Sequence, residues 1–145
     1  MRLACIGIGS NAIRLLTAEW RAGSLCVVRR ERRGTRLFAG LLNGALTNES
    51  IVASVEAVAQ LAALARADGA GEVFVFATSA VRDARNAAVF THRAQEAAGV
   101  PVEIVSGEQE AVLSFLGASE APRSSRWATA RRFWARRACK WARCA

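Results

Sequence analysis

The amino-acid sequence predicts an α/β fold, a mixed sheet of about five strands in the order β-β-β-α-β-α-β-α. Three observations predict it. The chain opens with three apolar runs separated only by short glycine-containing turns, the pattern of an antiparallel meander. A long 3.6-residue apolar stripe follows, from Ile51 to Leu64. Two short apolar runs, at Val73 to Phe76 and Val102 to Val105, then alternate with further helical pattern. Strands reached by such crossovers add in parallel, with right-handed connections.

The elements follow in order. Leu3 to Ile8 is a strand that ends at Gly9-Ser10-Asn11. Ala12 to Trp20 is the second strand, Ala22-Gly23 the next turn, and Ser24 to Arg33 the third strand. An irregular link containing Gly40 and Gly44 leads to Thr47, which caps the first helix. Its apolar face is Ile51, Val55, Val58, Ala59, Ala62 and Leu64, and Asp68-Gly69-Ala70-Gly71 stops it. Glu72 to Ala77 is continuously apolar at its centre and reads as a strand buried on both faces. A second helix is expected from Asp83 to Ala98, closed by Gly99. Val102 to Val105 is the fifth strand, and Ser106 caps a third helix whose face is Ala111, Val112, Phe115 and Leu116.

Composition and charge narrow the function classes. A chain of 145 residues with 52% hydrophobic and 22% charged residues excludes wholesale disorder and is long enough to build one core. The apolar window Ser50 to Ala65 is interrupted by Glu56 and Gln60, so no membrane span is expected. No signal peptide is visible, and a cytoplasmic location is the expectation. The net charge of +8 would point to nucleic acid, but it is unevenly placed. Residues 1–118 carry 12 Arg against 11 acids, whereas residues 119–145 carry 7 Arg and 1 Lys against 1 acid. Three of the four Trp also lie in that tail. The composition break sets two regions, a body at 1–118 and a basic Trp/Arg-rich tail at 119–145. The cysteines show no C-x-x-C and His92 has no partner at metal-ligand spacing, so free buried thiols are expected.

Three segments place polar residues where a strand ends, the usual position of ligands in open α/β sheets. In Gly9-Ser10-Asn11-Ala12-Ile13-Arg14, backbone N–H groups, a hydroxyl and a forked cation could meet an anion. On residue types alone a plain hairpin turn with an exposed arginine explains it as well. In Ala77-Thr78-Ser79-Ala80-Val81-Arg82-Asp83-Ala84, an arginine near a helix start is unfavourable unless an anion sits there. An N-cap with a surface Arg82–Asp83 pair is the plain alternative. In Ser106-Gly107-Glu108-Gln109-Glu110-Ala111, acids in a first helical turn suit the macrodipole without further reason. The functional alternative aims one carboxylate into a cleft as a general base.

Taken together, the three segments resemble the exopolyphosphatase and guanosine pentaphosphate phosphohydrolase family of the actin-like, sugar-kinase-like superfamily. The matching words are Ile8-Gly9-Ser10-Asn11-Ala12-Ile13-Arg14-Leu15, the Ala77 to Ala84 segment, and Val102 to Ala111 followed by Ser114-Phe115-Leu116-Gly117. The resemblance covers residues 3–118 and implies an actin-like, ribonuclease-H-like N-terminal lobe. It implies a phosphoanhydride hydrolase that releases terminal phosphate from polyphosphate or a guanosine polyphosphate, usually with Mg²⁺. By the same resemblance Gly9, Ser10 and Asn11 cradle phosphate, Arg14 and Arg82 neutralise its charge, and Glu110 activates water for in-line attack. Such a division suits a reaction that needs positioning and charge stabilisation.

The departures from the family pattern carry expectations of their own. The family's Asp two residues before Gly9 is Gly7 here, which removes an oxygen ligand for a hydrated cation. No second Asp-Ile-Gly-Gly-Gly-Ser-type loop follows, so the body would supply one wall of a two-lobed cleft. The expectation is therefore a truncated form that is inactive alone. The tail reads as a frame-shifted or scrambled end. Its rival is a basic amphipathic helix with Trp127, Trp134 and Trp141 at seven-residue spacing, suited to nucleic acid or an anionic membrane. The alternative to an enzyme is a noncatalytic polyanion-binding module using the phosphate turn and the tail.

Overall fold

The computed structural model describes residues 1–22 and 24–111. Strand β1 (Arg2–Ile8), β2 (Ala12–Arg21) and β3 (Ser24–Gly34) form the expected antiparallel meander. A 3₁₀ turn (Leu37–Gly40) and a small hairpin of β4 (Leu41–Leu42) and β5 (Ala45–Leu46) lead to α1 (Asn48–Ala67). Then come β6 (Glu72–Ala77), α2 (Ser79–Arg82), α3 (Ala87–Ala98) and β7 (Val102–Ile104), with residues 107–111 helical. The main sheet has the order β3-β2-β1-β6-β7, with β6 and β7 parallel to β1. This is the mixed five-stranded sheet that the pattern of runs and stripes predicts.

The core lies on one sheet face. Alternate residues of the central strands, Ile6 and Ile8 on β1, Ile13 and Leu15 on β2, point to it and are fully or almost fully buried. Val58 and Leu61 of α1 and Phe90 of α3 close it from above. Burial of each such side chain stabilises by about 1.5–3 kcal/mol. The Thr47 hydroxyl accepts from Ser50 N–H at 3.3 Å and starts α1 as expected. By length and composition α1 is apolar enough to cross a membrane, so Glu56 and Gln60 do not interrupt it as the sequence reading holds. Here its face of Ile51, Ser54, Ala57, Val58, Leu61, Ala62 and Ala65 is buried on the domain.

Several expectations are corrected. The helix expected from Asp83 to Ala98 starts only at Ala87, and a separate one-turn helix, Ser79–Arg82, precedes it. The residues between them are drawn to the small hairpin. Arg85 N–H donates to Gly44 O at 2.7 Å. The Asn86 amide pairs with both backbone groups of Leu46, accepting at 2.8 Å and donating at 2.9 Å. The link expected to be irregular contains that hairpin, closed by Asn43 and Gly44 at φ 49 and 75, an Asn-Gly turn with both residues left-handed. Strand β6 is buried on one face, through Val75 and Ala77, while Phe74 and Phe76 are half-buried. Cys26 is exposed and Cys5 half-buried, and burial pushes the Cys5 thiol up to about 12. Cys139, Cys144, the tail and the expected helix face beyond Ala111 lie outside the described residues.

Candidate functional site

The parallel strands β1, β6 and β7 end at the same edge of the sheet, and the three motif segments emerge there. The turn after β1 closes on itself, with Gly9 N–H donating to Ala12 O at 3.1 Å. That N–H is therefore engaged, and of the turn's amides Ser10 and Asn11 donate to no backbone carbonyl among the described residues. The carbonyls of the turn hold the segment that follows β3. Ser10 O accepts from Phe38 N–H at 2.8 Å, and Asn11 O accepts from Thr35 and Arg36 N–H, each at 3.2 Å.

Two side-chain contacts join the segments. Ser10 Oγ and Ser79 Oγ share a hydrogen bond of 3.1 Å, which ties the first segment to the second. Beneath it, Thr78 N–H donates to Ile8 O at 3.1 Å. The second segment reaches the third through Arg82. Its Nη1 donates to Val105 O at 2.9 Å and lies 3.6 Å from Glu110 Oε2. Asp83 Oδ1 is 3.5 Å from Arg82 Nε. Arg82 is the last residue of the one-turn α2 rather than a residue near a helix start, so its charge does not oppose a helix dipole.

Glu110 is aimed by a reciprocal cap. Ser106 N–H donates to Gln109 Oε1 at 2.8 Å, and Gln109 N–H donates to Ser106 Oγ at 3.2 Å. This is a capping box, which fixes the first turn and with it the carboxylate one residue on. Both partners of the Arg82–Glu110 pair are partly solvated, at 31% and 40% side-chain exposure. Arg14 stands on β2 directly opposite Gly7, is exposed, and has no acidic partner among the described residues.

The sequence singles out neither Ser79 nor Arg36 as a site residue. Ser79 carries a readable signal, a hydroxyl directly after a buried strand. Arg36 carries none. Its backbone is left-handed at φ 48, ψ 41, a conformation few non-glycine residues adopt, and it is held beside the turn by Asn11 O.

At Gly7 an added Cβ would stand 2.9 Å from Phe76 Cζ, so the ring of the neighbouring strand fills the space a carboxylate would need. Among the described residues no three His, Cys, Asp or Glu side chains cluster closely enough to share a metal. The described residues therefore offer no protein cage for Mg²⁺ at the turn after β1.

The model of the Ppx/GppA phosphatase family matches residues 16–128. This chain belongs to that family. The family chain is similar to the Aquifex aeolicus PPX-GPPA enzyme, with 32% identity and a TM-score of 0.71 over 76% of this chain and 37% of that one. It is also similar to an exopolyphosphatase-like protein, with 31% identity and a TM-score of 0.78 over 86% of this chain and 38% of the other. An exopolyphosphatase from Cytophaga hutchinsonii, at 24% identity and a TM-score of 0.79 over 83% of this chain and 39% of that one, shares the fold. This Ppx/GppA chain thus spans under two fifths of the length of the structures it matches.

Proposed function

We propose that this chain supplies one wall of an exopolyphosphatase-type site that releases terminal phosphate from polyphosphate or a guanosine polyphosphate. The observation that carries the reading is the pair of contacts Ser10–Ser79 and Arg82–Glu110, which bring the three segments to one sheet edge. In this reading the free amides of Ser10 and Asn11, with the two serine hydroxyls, receive the oxygens of the terminal phosphate. Arg14 adds a forked cation from the flank. Arg82 anchors on Val105 O and tethers Glu110, whose carboxylate activates the attacking water.

An incoming phosphate competes with Glu110 for Arg82, because both are anions and the present separation of 3.6 Å is long for a charge-assisted hydrogen bond. Substrate arrival thereby frees the carboxylate for water. Phosphoryl transfer also gains from a water-excluding enclosure. Glu110 at 40% exposure has none from the described residues. We therefore expect the chain alone to bind polyphosphate and to turn it over near background.

The test measures binding and phosphate release with the full chain and polyphosphate, in the presence of Mg²⁺. Ser10→Ala and Arg14→Ala should each weaken binding several-fold. Absence of binding by the unaltered chain would sink the phosphate site. Robust turnover abolished by Glu110→Gln would keep the site and refute the need for a second wall.

A further inference from the structure

Strand β3 carries Arg29, Arg30, Arg32 and Arg33 around Glu31, and its two faces treat them differently. The odd-numbered residues are neutralised. Arg29 holds Asp68 with two hydrogen bonds, Nε to Oδ2 at 2.7 Å and Nη2 to Oδ1 at 2.9 Å. It also lies 3.6 Å from Glu31, and Arg33 reaches Glu31 at 3.0 Å. The even-numbered residues, Arg30 and Arg32, are exposed and pair with no acid among the described residues.

The strand register places these unpaired arginines beside the candidate site. Arg32 is directly opposite Arg14 on β2, and Arg14 is directly opposite Gly7 on β1. Arg30 is opposite Leu16, one alternation further from the turn. Three guanidinium groups therefore share one face. Directly opposed strand residues lie about 4.5–5.5 Å apart. Residues two apart along a strand are separated by about 7 Å. Like charges directly across a ladder destabilise it. An anion that bridges them removes that repulsion. The unequal faces matter here: a strand whose charges only discouraged edge pairing would need no such segregation.

We propose that Arg14, Arg32 and Arg30 form a track for an extended inorganic polyphosphate, running from the Gly9–Asn11 turn outward over β2 and β3. The proposal rests on the reading of the turn as the terminal-phosphate site and names its substrate as a linear polymer rather than a guanosine polyphosphate. A polymer with a charge on every repeat engages all three forks at once. A nucleotide with two short phosphate chains reaches the turn and Arg14 and leaves Arg30 unused. A single-stranded nucleic acid is less suited, because such strands are held by aromatic stacking as well as charge. On β2 and β3 the track is lined by Leu16 and the arginines, while the rings of the same face, Phe74 and Phe76, stand two strands further in on β6 and are half-buried.

The experiment compares the full chain with an Arg30→Gln/Arg32→Gln variant, both checked for folding by circular dichroism. Affinities for long-chain polyphosphate, tripolyphosphate and a single-stranded oligonucleotide are measured across salt concentrations. An Arg21→Gln/Arg93→Gln variant removes the same charge from exposed positions elsewhere. The track predicts that Arg30→Gln/Arg32→Gln lowers long-chain affinity about tenfold. It also predicts a fall of about 1.4 in the salt slope, at about 0.7 per lost contact by analogy with single strands. Tripolyphosphate binding stays unchanged, and the control pair changes neither ligand. Equal effects of the two double variants, or an unchanged long-chain affinity, would overturn the track while tripolyphosphate binding still upheld the turn. Loss of oligonucleotide binding as large as the loss for polyphosphate would overturn the assignment of the polymer. Failure of the unaltered chain to bind tripolyphosphate would instead refute the turn itself.

Discussion

Replacing Arg82 by methionine keeps most of the side-chain length and removes every donor. Arg82 makes one charged-donor hydrogen bond to Val105 O at 2.9 Å, one ion pair to Glu110 at 3.6 Å, and a contact to the solvated carboxylate of its neighbour Asp83 at 3.5 Å that is too exposed to add measurably. Hydrogen bonds with a charged partner contribute about 1.5–3 kcal/mol. At 31% exposure the lower half of that range applies. The ion pair joins two partly solvated groups and is worth about 0.2–1 kcal/mol. Arg82→Met should therefore cost about 2–3 kcal/mol, and Glu110→Gln less than about 1 kcal/mol. The double variant should show a coupling of about 0.2–1 kcal/mol. Urea unfolding of the four proteins measures all three quantities. Arg82→Lys, which keeps the charge without the planar fork, should fall between. If Arg82→Met lies within about 0.5 kcal/mol of the unaltered chain and the coupling is zero, the second and third segments do not meet as described.

Two further outcomes follow from particular contacts. Gly7→Asp restores a carboxylate at a position where Phe76 Cζ stands 2.9 Å from the added Cβ. It should destabilise by about 1–2 kcal/mol through overpacking, and Phe76→Leu should relieve part of that cost. Strict additivity of the two substitutions in urea would refute the contact. The Arg29 guanidinium beside Asp68, aided by Arg2, holds that carboxyl below its ordinary value. Its contribution is therefore full above the ordinary carboxylate value of about 3.9 and is lost as pH falls through the lower folded value. The stability gap between the unaltered chain and Asp68→Asn should be constant near neutrality and shrink in acid. A gap that widened as pH fell would show that Arg29 does not stabilise the ionised form.

The sheet and its order were legible because local signals and burial agree along it. Leu3 to Ile8 and Ala12 to Trp20 read as strands and pair with each other in one unbroken register. The late start of the second helix, at Ala87 rather than Asp83, was not legible, since the residues before it are held by a contact between Asn86 and Leu46, 40 residues apart. Nothing in the local pattern of 83–98 announces a partner so distant. The hairpin at Asn43-Gly44 had a readable turn signal, but its strands of two residues give no alternation to accompany it. The site was legible in part. The hydroxyls at Thr78 and Ser79 and the carboxylates after Ser106 mark strand ends by residue type. Their grouping came from resemblance, because spacing alone does not say which strand ends adjoin. Arg36 was unreadable for a different reason: arginine has no tendency toward the left-handed backbone it adopts.

Strand order explains why distant segments share one edge. Ile8, Ala77 and Ile104 are in register across β1, β6 and β7, so whatever follows each of them emerges side by side. The antiparallel strands obey the same geometry from the other direction. Strand β2 begins at this edge and β3 ends at it, which brings Arg14 and Arg32 near the turn without any contact designed for that purpose. The bulge at Thr17 and Ala18 sets which arginines of β3 share the face of Arg14. Below it, Arg30 and Arg32 fall on that face and Arg29 and Arg33 on the other. Deleting Val28, the unpaired residue of the bulge, would keep the register on both sides, because Thr17↔Arg29 and Ala18↔Val27 would become consecutive pairs. If Val28 instead paired regularly and the register of Ala18 and Val27 ran on unbroken, Glu31 would stand opposite Arg14, and Arg29, Glu31 and Arg33 would replace Arg30 and Arg32 on that face. The charge pattern of the face is thus a consequence of one extra residue in an edge strand, and it stands or falls with the register rather than with the number of arginines.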